Sequence, residues 1–461
     1  MRESKKRVLL VSPDIFAAYS ESLVRYKVDA IPSLTIAILA SIAEKEGYDV
    51  KVIDLSVSSE NEFLSCLSEF KPHIVGITFT INQYKTSKSL IRIVRKHSHA
   101  KIILGGPHVS GFPIRSFEEL KPDIIVVGDG ETPFREILQH KSLRSIRGIV
   151  FSDRGRIIST AAAHSEKLES SPFPDWSVFD MSKYPRNSAY CSIEGSRGCP
   201  YSCIFCDHSV SGNSYRTKSP KLIAEELSFI KRLGFNKAFF VDDEFALFKE
   251  HAMRLCRIII KKNLQMRWDA IGLRLDRVDW ETLSLMKKAG CRQVGVGIES
   301  GSDRILKIIN KQESIKQIIA GVDAIRQSGI RTMGYFMIGF PEESKEDIKR
   351  TINFACSLGL TYAEASFFTP LPNTPAFAEC SKRGRLLAQK FEDFASLHKV
   401  TFIPDGLSER ELRAFYKTFY LRFYLRPKQI VYLLRDSLQN KTIAYDFNSL
   451  LKLLLSGKYE K

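Results

Sequence analysis

Apolar residues along this chain come in short β-branched runs, separated by amphipathic stretches of helical period. In the first third the runs fall at 6–12, 50–54, 73–79, 101–105 and 123–127, and the helical stretches at 33–47, 60–70, 84–97 and 131–140. Short runs without polar alternation suit strands buried on both faces, as in a parallel sheet covered by helices. The pattern therefore predicts a doubly wound, Rossmann-like α/β domain over 1–145. Residues 146–160 read as a hairpin turning at Asp153-Arg154-Gly155. A Ser- and Pro-rich linker follows, through Phe173 and Trp176 to Pro185, so 146–188 is expected to join two domains. Alternation then resumes, with strands at 190–195, 237–242, 267–271, 293–298, 332–338 and 362–368. Six βα units over 189–375 predict a partial barrel. After Pro375 the chain turns helical and basic. It is aromatic from Phe415 to Tyr424, a new helix is expected at Pro427, and Leu450 to Leu455 is nearly continuous leucine. This region, 376–461, reads as a helical cap on the barrel, with a lid or a lipid-binding surface as the alternative.

Composition changes this picture little. The 461 residues are 44% hydrophobic and 26% charged, ordinary values for globular protein and enough for two or three domains. No window approaches the eighteen or so apolar residues of a membrane span, and Val8–Val11 is too short for a signal-peptide core. Of nine cysteines, six stand singly (Cys66, Cys191, Cys256, Cys291, Cys356, Cys380). An odd count argues for a reducing, cytoplasmic setting. The net charge of +17 leaves three readings open: an anionic membrane surface, an anionic substrate, or a generally basic exterior. Nucleic acid is disfavoured, because no Lys/Arg stripe accompanies a recognisable binding motif.

Chemistry gathers at strand ends. Doubly wound sheets bind ligands beyond the carboxyl ends of their strands. Here those turns are Ser12-Pro13, Thr78-Phe79-Thr80, Gly105-Gly106-Pro107-His108 and Gly128-Asp129-Gly130-Glu131. No G-x-G-x-x-G follows the first strand, which argues against a dinucleotide. The remaining cysteines, Cys199, Cys203 and Cys206, fall in one loop with C-x3-C-x2-C spacing, after the first barrel strand. A 4Fe–4S cluster normally takes four thiolates, so three leave one iron open to a small molecule. The competing reading is a zinc site with His208 as fourth ligand, at a strained spacing from Cys206.

With Phe205 before the last cysteine and Gly198-Cys199-Pro200 before the first, the loop closely resembles that of the radical S-adenosylmethionine (SAM) enzymes. The resemblance implies that the amino and carboxylate groups of SAM chelate the open iron, and that reductive cleavage yields a 5′-deoxyadenosyl radical. It also implies roles along the barrel. Val241-Asp242-Asp243-Glu244 stands where the family often has Gly-Gly-Glu, so Asp243 and Glu244 are expected to accept hydrogen bonds from the SAM ammonium. Arg274 is expected at the SAM carboxylate or the substrate, and Glu299 at the SAM ribose or amine. Ile338 lies in the stretch resembling the adenine contact. Thr369 to Pro375 resembles the family's P-x-P-G-T-P loop with Asn373 in place of Gly, and Asn also tolerates a left-handed turn.

The first domain resembles the cobalamin-binding domain that precedes many radical SAM cores, at Pro32-Ser33-Leu34, Glu46–Val50, Pro72–Thr78, Gly105–His108 and Gly128–Glu131. The resemblance places Pro13, Thr78, Thr80, Gly105, Gly106, Gly128 and Glu131 at cobalamin. Lys71-Pro72-His73-Ile74-Val75-Gly76 has the spacing of the D-x-H-x-x-G cobalt loop, but it lacks the Asp and precedes the wrong strand. Cobalt is therefore expected to lack that ligand, and His108 to shape its loop. The whole resembles the class B, cobalamin-dependent radical SAM methyltransferases. Such an enzyme implies a 4Fe–4S cluster, SAM, cobalamin and an electron donor such as flavodoxin or ferredoxin, with methylation of an unactivated carbon in a small or lipid-like substrate. Peripheral membrane contact fits the basic C-terminal region. Cyclisation, oxidation or rearrangement with the same cofactors is the alternative chemistry, and a non-catalytic cobalamin-binding regulator the alternative class.

Overall fold

The computed structural model describes residues 5–16, 30–163, 167–184, 190–394, 396 and 398–440. The first sheet holds β1 (Arg7–Ser12), β2 (Asp49–Asp54), β3 (Ile74–Thr78), β4 (Lys101–Gly105), β5 (Ile124–Val126), β6 (Ile149–Asp153) and β7 (Arg156–Ser159), in the order β2-β1-β3-β4-β5-β6-β7. β1 to β5 run parallel. The order reverses between β1 and β3, which makes their carboxyl ends the natural ligand crevice. Side chains alternate between two cores. Leu9 and Val11 meet Phe63, Leu67, Leu90 and Ile91 of the covering helices. Val8 and Leu10 belong to a core that continues into the second half of the chain, through Ile193 and Phe240.

The hairpin differs from expectation. β6 pairs antiparallel with β5, Ile124 opposite Phe151 and Val126 opposite Ile149, so it extends the first sheet instead of linking domains. β5 has only three residues, and an uncovered edge there would leave its N–H and C=O groups without partners. The hairpin supplies them.

Beyond the linker comes β8 (Cys191–Ile193), then a small antiparallel pair, β9 (Ser196–Arg197) and β10 (Arg216–Thr217). β11 (Lys237–Phe240), β12 (Arg267–Leu273), β13 (Cys291–Glu299), β14 (Arg331–Ile338) and β15 (Tyr362–Phe367) complete a parallel six-stranded sheet in the order β15-β14-β13-β12-β11-β8. Each new strand joins beside its predecessor, the winding of a partial barrel.

The helix Glu409–Tyr424 closes the open edge at β15. The Tyr420 hydroxyl accepts from Ala365 N at 3.1 Å and donates to Ala365 O at 2.9 Å. Tyr424 does the same for Ala363, at 3.2 and 2.8 Å. Four helical residues advance about 6 Å and two strand residues about 6.6 Å, so the two spacings match. The aromatic run is therefore a cap on the barrel. A further helix begins at Pro427 as expected, while Leu450 to Leu455 lie outside the described residues. Among the described residues no helix is long and apolar enough to cross a membrane.

Candidate functional site

β9 and β10 pinch the base of the cysteine loop, Arg197 opposite Arg216. Gly198 has φ +91°, and a Cβ there would lie 2.2 Å from the Ser214 carbonyl oxygen, so only glycine fits. The loop is fastened at several further points. Ile204 N donates to Ile309 O at 3.1 Å, Ala376 N donates to Ile204 O at 3.0 Å, and Asn310 Nδ2 donates to Ser202 O at 2.8 Å. Asn373 has no positive φ, contrary to the left-handed turn expected of it. It works through its side chain, whose Nδ2 donates to Asp207 Oδ1 at 2.7 Å.

The thiols sit among buried charges. A hydrogen bond from Cys206, with the Lys311 and Arg274 cations nearby, brings the Cys203 thiol down to about 7, while that bond pushes Cys206 up. Burial raises Cys199. Ligation needs thiolates, and cations beside thiols favour them. Among the described residues no three His, Cys, Asp or Glu side chains converge on a single ion. A cluster asks for a different geometry, one thiolate per iron. Three cysteines of one clamped loop beside buried cations fit that donor set.

A ring of acids faces the loop. Asp242 accepts from Gly195 N at 2.9 Å and Ser196 Oγ at 2.6 Å, and burial pushes its carboxyl up to about 7. Asp243 accepts from Gly198 N at 2.7 Å, one residue before the first cysteine. Glu244 accepts from Arg274 N at 3.2 Å, and burial raises it to about 8. Glu299, at φ +65°, stands 3.5 Å from Lys311 Nζ, which is 3.6 Å from Glu313. Burial opposes charge on Lys311, and Glu299 and Glu313 more than offset it.

Two expected SAM contacts are placed otherwise. Arg274 Nε donates to Asp276 Oδ1 at 3.0 Å, Nη1 to Lys311 O at 2.9 Å and Nη2 to Gln312 O at 3.0 Å. Its guanidinium also stacks 3.6 Å above the Tyr201 ring. The fork braces the 311–313 turn against the cysteine loop, leaving little of it for a carboxylate. Ile338 is fully buried and pairs with Phe367, so it offers no surface. Phe205 packs 6.1 Å from Phe340, ring centre to ring centre.

A cavity of about 390 Å³ lies between the two halves. Thr78, Gly105, Gly106, Gly128 and Glu131 wall it from the first sheet. Glu194, Arg197, Val241 and Asp243 wall it from the second. Gly106 has φ +96°, and a Cβ would meet Thr78 Oγ1 at 2.7 Å. Leu10, Ile38, Ile103 and Phe134 line the apolar part. Pro13 and Thr80 are not in this wall. The carbonyl of buried Pro13 accepts from Gln83 Nε2 at 2.7 Å, and exposed Thr80 caps the following turn. β3 ends at Thr78, which faces the cavity; Phe79 packs into the other core, and the turn at Ile81–Gln83 leads the chain away, so Thr80 no longer follows the strand's alternation. His108 lies outside the wall as well, enclosed by the rings of Phe79, Tyr84, Phe112 and Phe391, and burial lowers it to about 4.

Sequence reasoning missed the joint between the halves. Arg197 pairs with Asp129, Glu131 and Glu194, each at 2.8 Å, and Arg216 meets Asp129 at 2.5 Å. The available signal was two arginines flanking the cysteine loop and two acids in Gly128-Asp129-Gly130-Glu131. Lys311 and Glu313 were missed too; their only signal was a Lys-x-Glu shortly after a strand-end Glu.

Family models match both halves: the radical SAM superfamily over residues 193–355 and the B12 binding domain over 26–138. An uncharacterised methyltransferase of Pyrococcus horikoshii is 30% identical over 438 residues, covering 92% of this chain and 94% of that protein. The chain belongs to the cobalamin-dependent radical SAM family. An anaerobic magnesium-protoporphyrin IX monomethyl ester cyclase of Cereibacter sphaeroides is another relative, 27% identical over 86% of this chain and 67% of its own. The solved structure of OxsB, a cobalamin-dependent SAM radical enzyme with aqua-cobalamin and SAM bound, shares the fold at TM-score 0.76 and 17% identity, covering 96% of this chain and 72% of that one. Membership in this cobalamin-dependent radical SAM family brings a 4Fe–4S cluster, SAM and cobalamin as cofactors, and makes the protein an enzyme.

Proposed function

We propose that the enzyme methylates an unactivated carbon of a small-molecule substrate. The observation that carries this reading is Asp243, which lines the cavity and also accepts the hydrogen bond from Gly198 N at the root of the cysteine loop. The cobalamin cavity thus opens beside the cluster loop. When bound, the cluster and SAM supply a radical that removes hydrogen from carbon, and cobalamin supplies the methyl group. The chain itself binds, orients and excludes water. In this reading Cys199, Cys203 and Cys206 hold the cluster. Asp243 and Glu244 receive the SAM ammonium, Glu299 with Lys311 closes the far side, and Phe205 packs the loop. Thr78, Gly105, Gly106, Gly128 and Glu131 receive cobalamin. Domain limits near 188 and 375 complete the proposal, and the first limit moves from 145 to about 159, because the hairpin belongs to the first sheet.

A lipid-like substrate has weaker support than the aromatic C-terminal run suggested, because Tyr416, Phe419, Tyr420, Phe423 and Tyr424 are buried. What remains is exposed Ile430, Val431, Leu434 and Leu438 on the last described helix. The cyclase relative favours a second reading, ring formation with the same cofactors, and product mass separates the two: one methyl gained, or no carbon gained.

The test is anaerobic reconstitution with iron, sulfide and cobalamin, followed by SAM and reductant. A charge-transfer band near 400 nm, about where thiolate-bound clusters absorb, and 5′-deoxyadenosine formation are expected. Cys203→Ala should abolish both. Deoxyadenosine formation persisting in that variant would overturn the assignment of the loop.

A further inference from the structure

At the end of the first sheet opposite the cavity, where the amino ends of β3, β4 and β5 emerge, the surface folds into an open groove of about 920 Å³. Its floor is apolar, built by Leu67, Ile74, Ile103, Ile124 and Ile137. Its rim is cationic: Lys6, Lys71, Lys101 and Lys141 stand around it, and no described Asp or Glu lines it. Lys101 N donates to His73 O at 2.9 Å, which sets Lys101 beside the segment that carries Lys71 and His73.

Four of the chain's nine histidines line the same groove. His73 Nδ1 accepts from Arg7 N at 3.0 Å, so a neutral His73 carries its proton on Nε2. His140 Nε2 lies 2.5 Å from Lys6 Nζ, and an ammonium can only donate, so a neutral His140 carries its proton on Nδ1. In the neutral form each ring therefore presents its other nitrogen as a donor. His73, set aside in the sequence as a false cobalt ligand, belongs to this groove.

The plain alternative is that these cations serve helix ends. The helices Glu60–Phe70, Tyr84–His97 and Glu131–Leu138 all finish here, and each carboxyl end carries about −0.5 charge. Three ends amount to about −1.5; Lys141 is paired with Glu136 at 2.8 Å, which leaves one full positive charge on each of Lys6, Lys71 and Lys101. The groove holds more positive charge than the helices call for.

We propose that this groove binds a phosphate-bearing anion, its phosphate held by Lys71 and Lys101 and its apolar portion on the isoleucine floor. The ligand is a soluble phosphorylated molecule or a lipid headgroup, and the site is independent of the cofactor chemistry above.

The test uses the full chain with two probes: inorganic pyrophosphate by titration calorimetry, and co-sedimentation with phosphatidylglycerol or phosphatidylcholine vesicles. The variants are Lys71→Gln/Lys101→Gln in the groove and Lys221→Gln on an exposed helix elsewhere. Cobalamin binding, read by absorbance, reports that each is folded. Saturable pyrophosphate binding that weakens at least tenfold in the groove variant and not in Lys221→Gln supports a soluble ligand. Binding confined to phosphatidylglycerol vesicles, with the same pattern across variants, supports a headgroup. Absence of both up to millimolar probe, or binding equal in the two variants, overturns the proposal.

Discussion

Glu343 is a carboxylic acid held almost dry. One oxygen accepts from Gly339 N at 2.5 Å and Phe340 N at 3.1 Å, the other has no partner among the described residues, and burial pushes the group up to about 8. An unfolded Glu ionises near about 4.3. Between that value and about 8 the folded state binds the extra proton, so stability is greatest at the acid side and falls as pH rises through this window. Asp242 and Glu244 are raised in the same sense. Glu343→Gln should therefore flatten the decline in Tm between about pH 5 and 8, measured by calorimetry; an unchanged slope would remove Glu343 from the account. At Gly198 the argument is steric. A methyl group 2.2 Å from Ser214 O cannot be accommodated without moving the loop root. Gly198→Ala should lose most of its iron and sulfide after reconstitution while the first sheet stays folded. Full iron content would show that the loop adapts.

The tyrosine spacing on Glu409–Tyr424 makes a quantitative expectation at the scale of elements. Tyr420→Phe and Tyr424→Phe each strip a donor and an acceptor from the buried edge of β15. A buried group left unpaired costs about 1–3 kcal/mol, so each variant should shift the denaturant midpoint by that amount. A change within error would mean that water replaces the hydroxyl. The same elements show what could be read in advance. Strands of both sheets were legible because parallel strands buried on two faces appear as plain apolar runs. The hairpin 149–159 was legible as a hairpin but not as part of the sheet, since its partner edge lies in three distant residues, Ile124–Val126. An aromatic helix reads alike whether it lids a mouth or caps an edge; only the match between Tyr420/Tyr424 and Ala365/Ala363 decides. Arg274, Pro13 and Thr80 were misplaced for a related reason. Sequence puts a residue at a strand end, while its direction depends on what packs beside it.

For the whole molecule the decisive feature is the joint that holds the two sheets across the cavity. Arg197 is 12% exposed and Asp129 5%, so these charges are stable only as a set. Removing one partner of a buried pair costs about 3–5 kcal/mol, because the survivor stays buried and uncompensated. Arg197 also lines the cavity and lies two residues before Cys199. Loss of the joint should therefore register in cobalamin affinity as well as in stability. Arg197→Met is expected to weaken cobalamin binding and lower the denaturation midpoint, and Asp129→Asn to do the same. The double variant should lose less than the sum of the two, since removing both charges relieves the penalty that each single change creates. Cobalamin titration by absorbance and denaturation of the four proteins in the cycle measure this directly. Strict additivity would mean that Arg197 and Asp129 act through their other partners, and single variants unchanged in both readouts would mean that the apolar core shared by Val8, Leu10, Ile193 and Phe240 holds the halves together alone.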